Sequence, residues 1–346
     1  MVYYIFFIIC ATLLLGYGYL YPNKNKIVLF IVFLLAVFFA GFRDFVGADY
    51  TFYVDWYLNK TRDTKLEFGF VAIMNVFRYF HLGYNWLFLF FSFFTCLFVF
   101  LGIKKFTVNV NFAILIFLLI PGLYINSFSI VRQYFSLAIS FYAFYYLINK
   151  KYVTYLLLMF IGISIHNTCY IPFLIFLGVY KWGSKIKVIH IALALVVSLV
   201  ISQTHFLESI GVFFDKTRYI YYFTTHQSPT SNLKLVVLNA VAIFVLFHFE
   251  RLKNTYPYQQ YLMPLYFFSV IFTNIFAIYV DLTRIAYYFK IFEIIVIADL
   301  IFLETKEKSF KYLTFFYIYY LSVYIFALWT DINDKCQFAN YKSILF

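Results

Sequence analysis

Long apolar runs alternate with short polar connections along almost the whole chain. A helix needs roughly 17–25 apolar residues to cross a hydrocarbon core of about 30 Å. Ten runs approach or meet that length, and we expect each to be a transmembrane helix. They cover about 3–20, 27–42, 85–103, 108–125, 128–148, 187–204, 233–249, 259–280, 284–303 and 312–329.

A further apolar run, 152–180, is interrupted by His166 and Asn167, with Pro172 shortly after. The run is either one long helix or two short helices that meet at the histidine. The positions of the lysines and arginines favour two.

Basic residues cluster in short connections, and such clusters mark the cytoplasmic side of a membrane protein. If all of them are cytoplasmic, the alternation holds only when 152–180 crosses twice. About twelve crossings follow, with both termini outside the cytoplasm. The clusters are Lys24 with Lys26, Lys104 with Lys105, Lys150 with Lys151, Lys181 with Lys185 and Lys187, Arg251 with Lys253, and Lys306 with Lys308 and Lys311.

This topology places two long connections outside, at about 43–84 and 205–232. Both mix acids, bases and aromatic residues, whereas the cytoplasmic connections are short and rich in lysine. Within the first, Glu67 to Tyr79 has the mixed pattern of a helix that lies on the membrane surface. We therefore expect one transmembrane domain over 1–346, without a soluble domain, whose working face is extracytoplasmic.

Composition agrees with a membrane protein. Of the 346 residues, 64% are hydrophobic and 12% charged, and the mean hydropathy is +0.85. Soluble domains are about half apolar and a quarter charged. The net charge of +12 lies in connections between apolar runs, which argues for membrane orientation and against nucleic-acid binding. The four cysteines lack metal-ligand or disulfide spacing, and the first twenty residues predict a retained span and not a signal peptide.

The stretch after the second run, GFRDFVGADYTFYVDWY, combines one arginine with three carboxylates: Arg43, Asp44, Asp49 and Asp55. A charged group within a bilayer costs at least about 2.5–3.5 kcal/mol, so each needs a partner or a function. A snorkelling arginine is one interpretation of Arg43. The concentration of acids beside aromatic residues favours a binding or catalytic site.

Arg132 and Gln133 lie one turn into a predicted span, and Ser129, Arg132, Ser136 and Ser140 form a polar stripe at helical spacing. That stripe should face a cavity or another polar helix. Arg132 is interpreted either as the partner of a loop carboxylate or as a ligand for a phosphate or diphosphate, which its planar fork suits.

Three more groups of polar residues lie in or beside apolar runs. His166 with Asn167 is either a hydrogen-bonded core pair or part of a site, and Arg284 is either an interfacial anchor or a ligand residue. Lys290 and Glu293 are one turn apart and predict an internal ion pair, while Asp299 predicts no special role. Arg43, Arg132 and Arg284 should converge at one membrane face with the histidine and the aspartates. A polyanionic lipid headgroup explains this convergence most simply.

The motifs GFRDFVGADYTFYVDWY, SFSIVRQYFSLAISFYAFYYLINKKY, ISIHNTCYIP, LTRIAYYF and NYKSILF resemble those of one family. The chain is similar to the EpsG-like branch of the Wzy-type polysaccharide polymerases of O-antigen, capsule and exopolysaccharide assembly. The motifs are short but spread over nearly the whole chain. That branch more often has tyrosine after the first arginine, where this chain has Asp44, so the role of Asp44 stays open.

The resemblance implies an all-α, polytopic membrane helix bundle of about ten to twelve spans, with short surface helices in its outer loops, in the bacterial inner membrane. It implies a glycosyltransferase that joins undecaprenyl-diphosphate-linked oligosaccharides at the periplasmic face. Membrane lipids and a chain-length regulator protein would be its other partners, and no cofactor or metal is implied. Arg43, Arg132, Gln133 and Arg284 would bind diphosphate and substrate. Asp49 or His166 would be the general base, supported by Asp44, Asp55, Asn167 and Tyr50.

Three other functions stay open. A flippase for the same lipid-linked sugar should carry charges near the midplane and two related halves. A ligase that moves finished polysaccharide would closely resemble a polymerase. One common type of membrane acyltransferase needs an acid five residues after a histidine, but Trp86 follows His81 and Ile171 follows His166 at that distance.

Overall fold

A computed structural model describes the chain at residues 1–59, 66–202, 204, 230–303, 306–334, 338 and 340–345. Over these residues the protein is helical, and its only strand-like pairing is one isolated bridge between Arg43 and Ser343. The predicted all-α membrane helix bundle is confirmed.

The helices follow the apolar runs closely. In chain order they are α1 Val2–Leu20, α2 Asn25–Gly41, α3 Tyr50–Leu58, α4 Phe68–Tyr79, α5 Tyr84–Phe106, α6 Val110–Leu119, α7 Val131–Ile148, α8 Tyr152–Ile165, α9 Tyr170–Trp182, α10 Val188–Ser202, α11 Asn232–Phe247, α12 Phe249–Thr255, α13 Gln259–Ile275, α14 Val280–Lys290, α15 Glu293–Ile301 and α16 Lys306–Asp334.

Four helical segments of the described chain are long and apolar enough to cross a bilayer: Val2–Leu20, Pro22–Gly41, Tyr84–Phe106 and Ser309–Ile332. The α11–α12 pair makes a fifth if its 57° bend is counted within one span. Several other apolar helices are shorter, α8 and α10 among them. The protein is therefore a multi-pass membrane protein, and the count of about twelve crossings stays a prediction.

The interrupted run at 152–180 forms two helices that meet at the histidine. Helix α8 ends at Ile165, His166 is extended with φ −153° and ψ 114°, and a 3-10 turn at Asn167–Cys169 leads into α9. The interpretation as two helices is confirmed. Such a break leaves backbone groups unpaired, so polar side chains that can bind them are expected there.

Two of the predicted spans are not continuous helices. The run at 108–125 contains only the ten-residue α6, because Pro121 cannot donate a backbone hydrogen bond and the chain turns there. The run at 284–303 is divided into α14 and α15 at Ile291 and Phe292. No proline or glycine marks that second break, so hydropathy alone could not show it.

The chain packs as two compact units, one of residues 1–173 with 306–346 and one of residues 174–305. In the first unit the C-terminal segment returns to the end of α2. Asp44 donates its backbone N–H to Lys342 at 3.0 Å, and Ile344 donates to Phe42 at 2.9 Å. The Tyr341 ring stacks on Phe39 with centroids 4.3 Å apart, so this segment closes over the start of the loop at 43–84.

In the second unit, polar side chains inside the bundle pair with one another. Asn239 and Asn274 exchange amide hydrogen bonds of 2.9 and 3.0 Å, and Asn274 also donates to Ser198 at 3.0 Å. Lys290 and Glu293 form the predicted internal pair at 3.0 Å, and Asp299 accepts from Gln259 at 2.8 Å. Such pairs join apolar helices where no water is present.

The structure describes most of the first predicted outer connection and little of the second. The first contains α3 and α4, and α4 confirms a helix at 68–79, with Phe70 and Met74 fully buried. The second, 205–232, lies outside the described residues apart from its last three.

Candidate functional site

Helix α3 is anchored by one face of tyrosines. Tyr50, Tyr53 and Tyr57 recur at helical spacing and are 1%, 3% and 7% exposed. They pack into a core with Phe88 and Phe91 of α5. Because the tyrosine face is buried in this core, the opposite face of α3 points away from the protein core.

The segment before α3 is held against the start of α7 by a glycine. Gly47 has φ +107°, and a Cβ there would lie 2.6 Å from the carbonyl oxygen of Phe128. Only glycine fits such a close approach in this conformation. The Ala48 N–H then donates to the hydroxyl of Ser129 at 2.8 Å, which joins the loop to α7.

Arg43 lies inside this junction. Its guanidinium donates to three carbonyl oxygens, those of Ala40, Val46 at 3.2 Å and Phe128 at 2.9 Å. The guanidinium also lies 4.8 Å from the centroid of the Phe88 ring, and the residue is 1% exposed. Burial lowers the pKa of Arg43 to about 10, so the side chain stays charged at neutral pH.

The contacts of Arg43 are structural. Its donors are buried and bound to backbone carbonyls, and its charge is solvated by those carbonyls and by aromatic faces. This arrangement joins the end of α2 to the segment before α7. The expected binding of diphosphate by Arg43 stays a prediction.

A second glycine brings α4 close to the end of α8. A Cβ on Gly69 would lie 2.3 Å from the Ser164 hydroxyl and 2.8 Å from its carbonyl oxygen. A larger residue would push the two helices apart. The close contact places Glu67, just before α4, beside the helix break at His166.

Glu67 is the centre of the candidate site, whereas the sequence predicts it only as the start of a surface helix. One carboxylate oxygen accepts from the Arg132 guanidinium. The other lies 3.2 Å from Nδ1 of His166 and accepts the Asn167 backbone N–H at 3.3 Å. The interpretation of Arg132 as the partner of a loop carboxylate is thus confirmed, and its interpretation as a diphosphate ligand stays a prediction.

These partners keep Glu67 ionised. Burial alone would raise its pKa, but the neighbouring His166 imidazole and the charge of Arg132 outweigh burial and lower the pKa of Glu67 to about 2. The side chain is 12% exposed. Glu67 is therefore a half-enclosed anion between two groups that can carry positive charge.

Arg132 lies between two aromatic rings. Its guanidinium carbon is 4.9 Å from the centroid of the Trp56 ring and 5.2 Å from that of Phe70. The side chain is 14% exposed, and its Nε has no hydrogen-bond partner among the described residues. Contact with the two rings fixes the plane of the guanidinium.

His166 faces Glu67 through Nδ1, and its side chain is 19% exposed. The 3.2 Å contact lacks the alignment of a good hydrogen bond, so Nδ1 lacks a full partner. A carboxylate at Nδ1 favours the tautomer with the proton on that nitrogen, which leaves Nε2 as the acceptor. This is the carboxylate–imidazole arrangement of a general base.

Aromatic rings connect Arg43 with Arg132. Phe88 lies under Arg43 and contacts the ring of Tyr53, with centroids 6.2 Å apart. The Tyr53 hydroxyl in turn lies 3.5 Å from the backbone nitrogen of Arg132. Arg43 and Arg132 are thus neighbours in one cluster, but only Arg132 reaches its surface.

The remaining predicted residues differ in position. Gln133 is 3% exposed inside the bundle, and Asn167 joins the site through its backbone. The Tyr50 hydroxyl lies 3.4 Å from Asp44, at the Arg43 junction. Asp49 and Asp55 lie on α3 or at its start. Arg284 lies on α14 of the second unit, so its convergence with Arg132 stays a prediction.

Two serines of the predicted polar stripe of α7 are fully buried. Ser136 donates to the Gly162 carbonyl oxygen of α8 at 2.8 Å, and Ser140 donates to the Leu137 carbonyl oxygen of its own helix at 2.8 Å. Ser136 therefore joins α7 to α8. This contact holds Arg132 and the break at His166 in register.

Comparison with known proteins gives one match. A family model described as the EpsG family matches residues 26–343, a range that includes Glu67, Arg132 and His166. Neither the curated proteins nor the solved structures give a significant match.

Proposed function

The chain belongs to the EpsG family, and on that premise we propose that it polymerises polysaccharide repeat units carried on undecaprenyl diphosphate. Membership of this family fits a polysaccharide polymerase in general. The donor, the reacting residues and the face of the membrane are our proposal. The site would lie at the extracytoplasmic face of the inner membrane.

In the proposed step, a hydroxyl of the acceptor sugar attacks the anomeric carbon of the donor sugar. A glycosidic C–O bond forms, and the bond between that carbon and the diphosphate oxygen breaks. The hydroxyl proton passes to the general base, and undecaprenyl diphosphate leaves with the electron pair. The protein must therefore accept one proton and stabilise one developing anion.

The observation that supports this proposal is the position of Glu67 between Arg132 and His166. Its carboxylate holds Nδ1 of His166, so that Nε2 can take the hydroxyl proton, and the imidazolium that forms faces an ionised carboxylate. His166 is therefore our choice of base. Asp49, just before α3, is the other candidate.

Arg132 is the proposed diphosphate ligand. Its plane is set by Trp56 and Phe70, and it lies on the same carboxylate as His166. A guanidinium binds two phosphate oxygens at once and stabilises the charge that develops on the leaving group. Glu67 would thus hold the base, His166, at a fixed distance from the anion-binding group, Arg132.

Deletion of the gene tests the function. We expect single repeat units on the surface and loss of the long polysaccharide ladder on a gel, restored by the wild-type gene but not by a His166→Ala variant. Complete absence of surface sugar would identify a flippase instead. An intact ladder with altered acylation would identify an acyltransferase, and free polymer that is not joined to its acceptor would identify a ligase.

A further inference from the structure

Beside the buried tyrosines, α3 carries two aromatic rings and a carboxylate that are not fully buried. Phe52 is 53% exposed, and Trp56, one turn later, is half-buried. Asp55 directly precedes Trp56 and is exposed, and Asp49 lies just before the helix.

The two rings form one surface. The centroids of Phe52 and Trp56 are 6.5 Å apart, and their planes differ by 32°. Trp56 is also held on its inner side, because its ring lies 5.3 Å from Tyr53 at 88° and over the Arg132 guanidinium. The surface is therefore ordered before any ligand binds, which lowers the entropic cost of binding.

We propose that this face of α3 is a carbohydrate-binding surface for the oligosaccharide part of the substrate. Sugar rings present C–H groups on their faces, which pack on the electron-rich faces of aromatic rings. Their equatorial hydroxyls donate hydrogen bonds, and carboxylates are strong acceptors for them. The rings of Phe52 and Trp56 and the neighbouring carboxylate of Asp55 match both needs.

The position of this surface beside the Glu67 site favours the oligosaccharide as its ligand. Trp56 contacts Arg132, and Arg132 contacts Glu67, so a sugar bound on α3 would extend directly from the proposed reaction centre. Aromatic residues at a membrane interface would serve equally well as lipid anchors. The contact of Trp56 with Arg132, beside the proposed reaction centre, favours the sugar. This inference rests on the proposed function but adds the binding surface for the sugars.

The test measures binding without turnover. Oligosaccharides from partial acid hydrolysis of the host's own surface polysaccharide are titrated into the full-length protein in lipid nanodiscs. The chain has four tryptophans, so one variant keeps only Trp56 and its matched control keeps only Trp86, which is 53% exposed at the start of α5. We expect a saturable change in emission from Trp56 and none from Trp86. No saturable change at Trp56, or the same change in both variants, would overturn the proposal.

Calorimetry gives a second measurement. Trp56→Ala should weaken oligosaccharide binding about tenfold, the loss of roughly one aromatic contact, whereas Trp86→Ala should not change it. Phe52→Ala repeats the test at an exposed position where the fold does not depend on the ring. Equal affinities for Phe52→Ala and wild type would also refute the proposal.

The binding test of the sugar surface can fail or succeed independently of the deletion test of the proposed function. An intact ladder in the deletion strain together with specific binding at Trp56 would refute the polymerase and keep the sugar surface. Loss of the ladder in the deletion strain without binding at Trp56 would support the polymerase and refute the sugar surface. A response to lipid vesicles alone, equal to the response to sugar, would identify a membrane anchor.

Discussion

Nδ1 of His166 lies 3.2 Å from the Glu67 carboxylate. The two residues belong to different helix ends, one just before α4 and one just after α8. The close packing of Gly69 on Ser164 brings those ends together. The same carboxylate holds Arg132, so one side chain orients both groups that the proposed reaction needs.

Glu67→Gln should abolish most polymerisation while the protein stays folded. The amide has the shape of the carboxylate but cannot stabilise imidazolium or pair with a guanidinium, and loss of an oriented base costs roughly a hundredfold in rate. Ladder length and initial rate with lipid-linked repeat units measure the effect. The matched control is Glu250→Gln, an exposed position on α12, which should behave as wild type. Wild-type activity of Glu67→Gln would exclude the carboxylate from the mechanism.

Arg132→Lys should lose most polymerisation although the positive charge is kept. Lysine cannot bind two phosphate oxygens in one plane, and it cannot stack between Trp56 and Phe70 as a flat guanidinium does. The ladder assay measures the loss, with the exposed Arg251→Lys as the control. Full activity of Arg132→Lys would refute bidentate diphosphate binding.

Arg43→Met should act on stability first. It removes a buried cation that three carbonyl oxygens accept from, and leaving those carbonyls without partners costs about 3 kcal/mol. Thermal unfolding in detergent should show a lower midpoint than for Arg251→Met, a change at an exposed site. A role in ligand binding would instead be shown by an Arg43→Lys variant that melts like the wild type but does not polymerise.

Stability should depend on pH through Glu67. Its pKa is about 2 in the folded protein and about 4.3 in an unfolded chain, so the folded state is favoured above pH 4.3 by about 3 kcal/mol. Because the folded pKa is the lower one, this stabilisation is full at neutral pH and is lost as pH falls from about 5 towards 2.

Thermal unfolding at pH 6, 5, 4 and 3 measures that loss. The wild type should lose more stability over this series than Glu67→Gln, so the two melting temperatures should converge in acid. Parallel curves would mean that the carboxylate does not have a lowered pKa.

Residue patterns predicted much of the fold. Apolar runs located most helix bounds within a few residues, and the polar pair at His166 marked the break between α8 and α9. Helical spacing also predicted the Lys290–Glu293 pair, and the pair forms at 3.0 Å although the helix breaks between the two residues. The breaks at Pro121 and at Ile291 were missed, since a hydropathy pattern records which residues are apolar and not whether the helix is continuous.

The candidate site was predicted only in part. Arg132 and His166 were identified because a charged or imidazole group within an apolar run needs a partner. The sequence did not identify Glu67 as that partner, because Glu67 lies outside the apolar runs and resembles an ordinary acid at a helix start.

What the sequence by itself determined is local: a membrane protein, the places where helices begin and end, and a set of polar residues too costly to leave without partners. Only the tertiary structure decided which polar residues meet. Arg43 and Arg132 look alike in sequence, yet one is enclosed by backbone carbonyls and the other reaches a carboxylate at the surface. Burial and pairing depend on helix contacts between residues 65 or more positions apart, and such contacts leave no regular pattern along the chain.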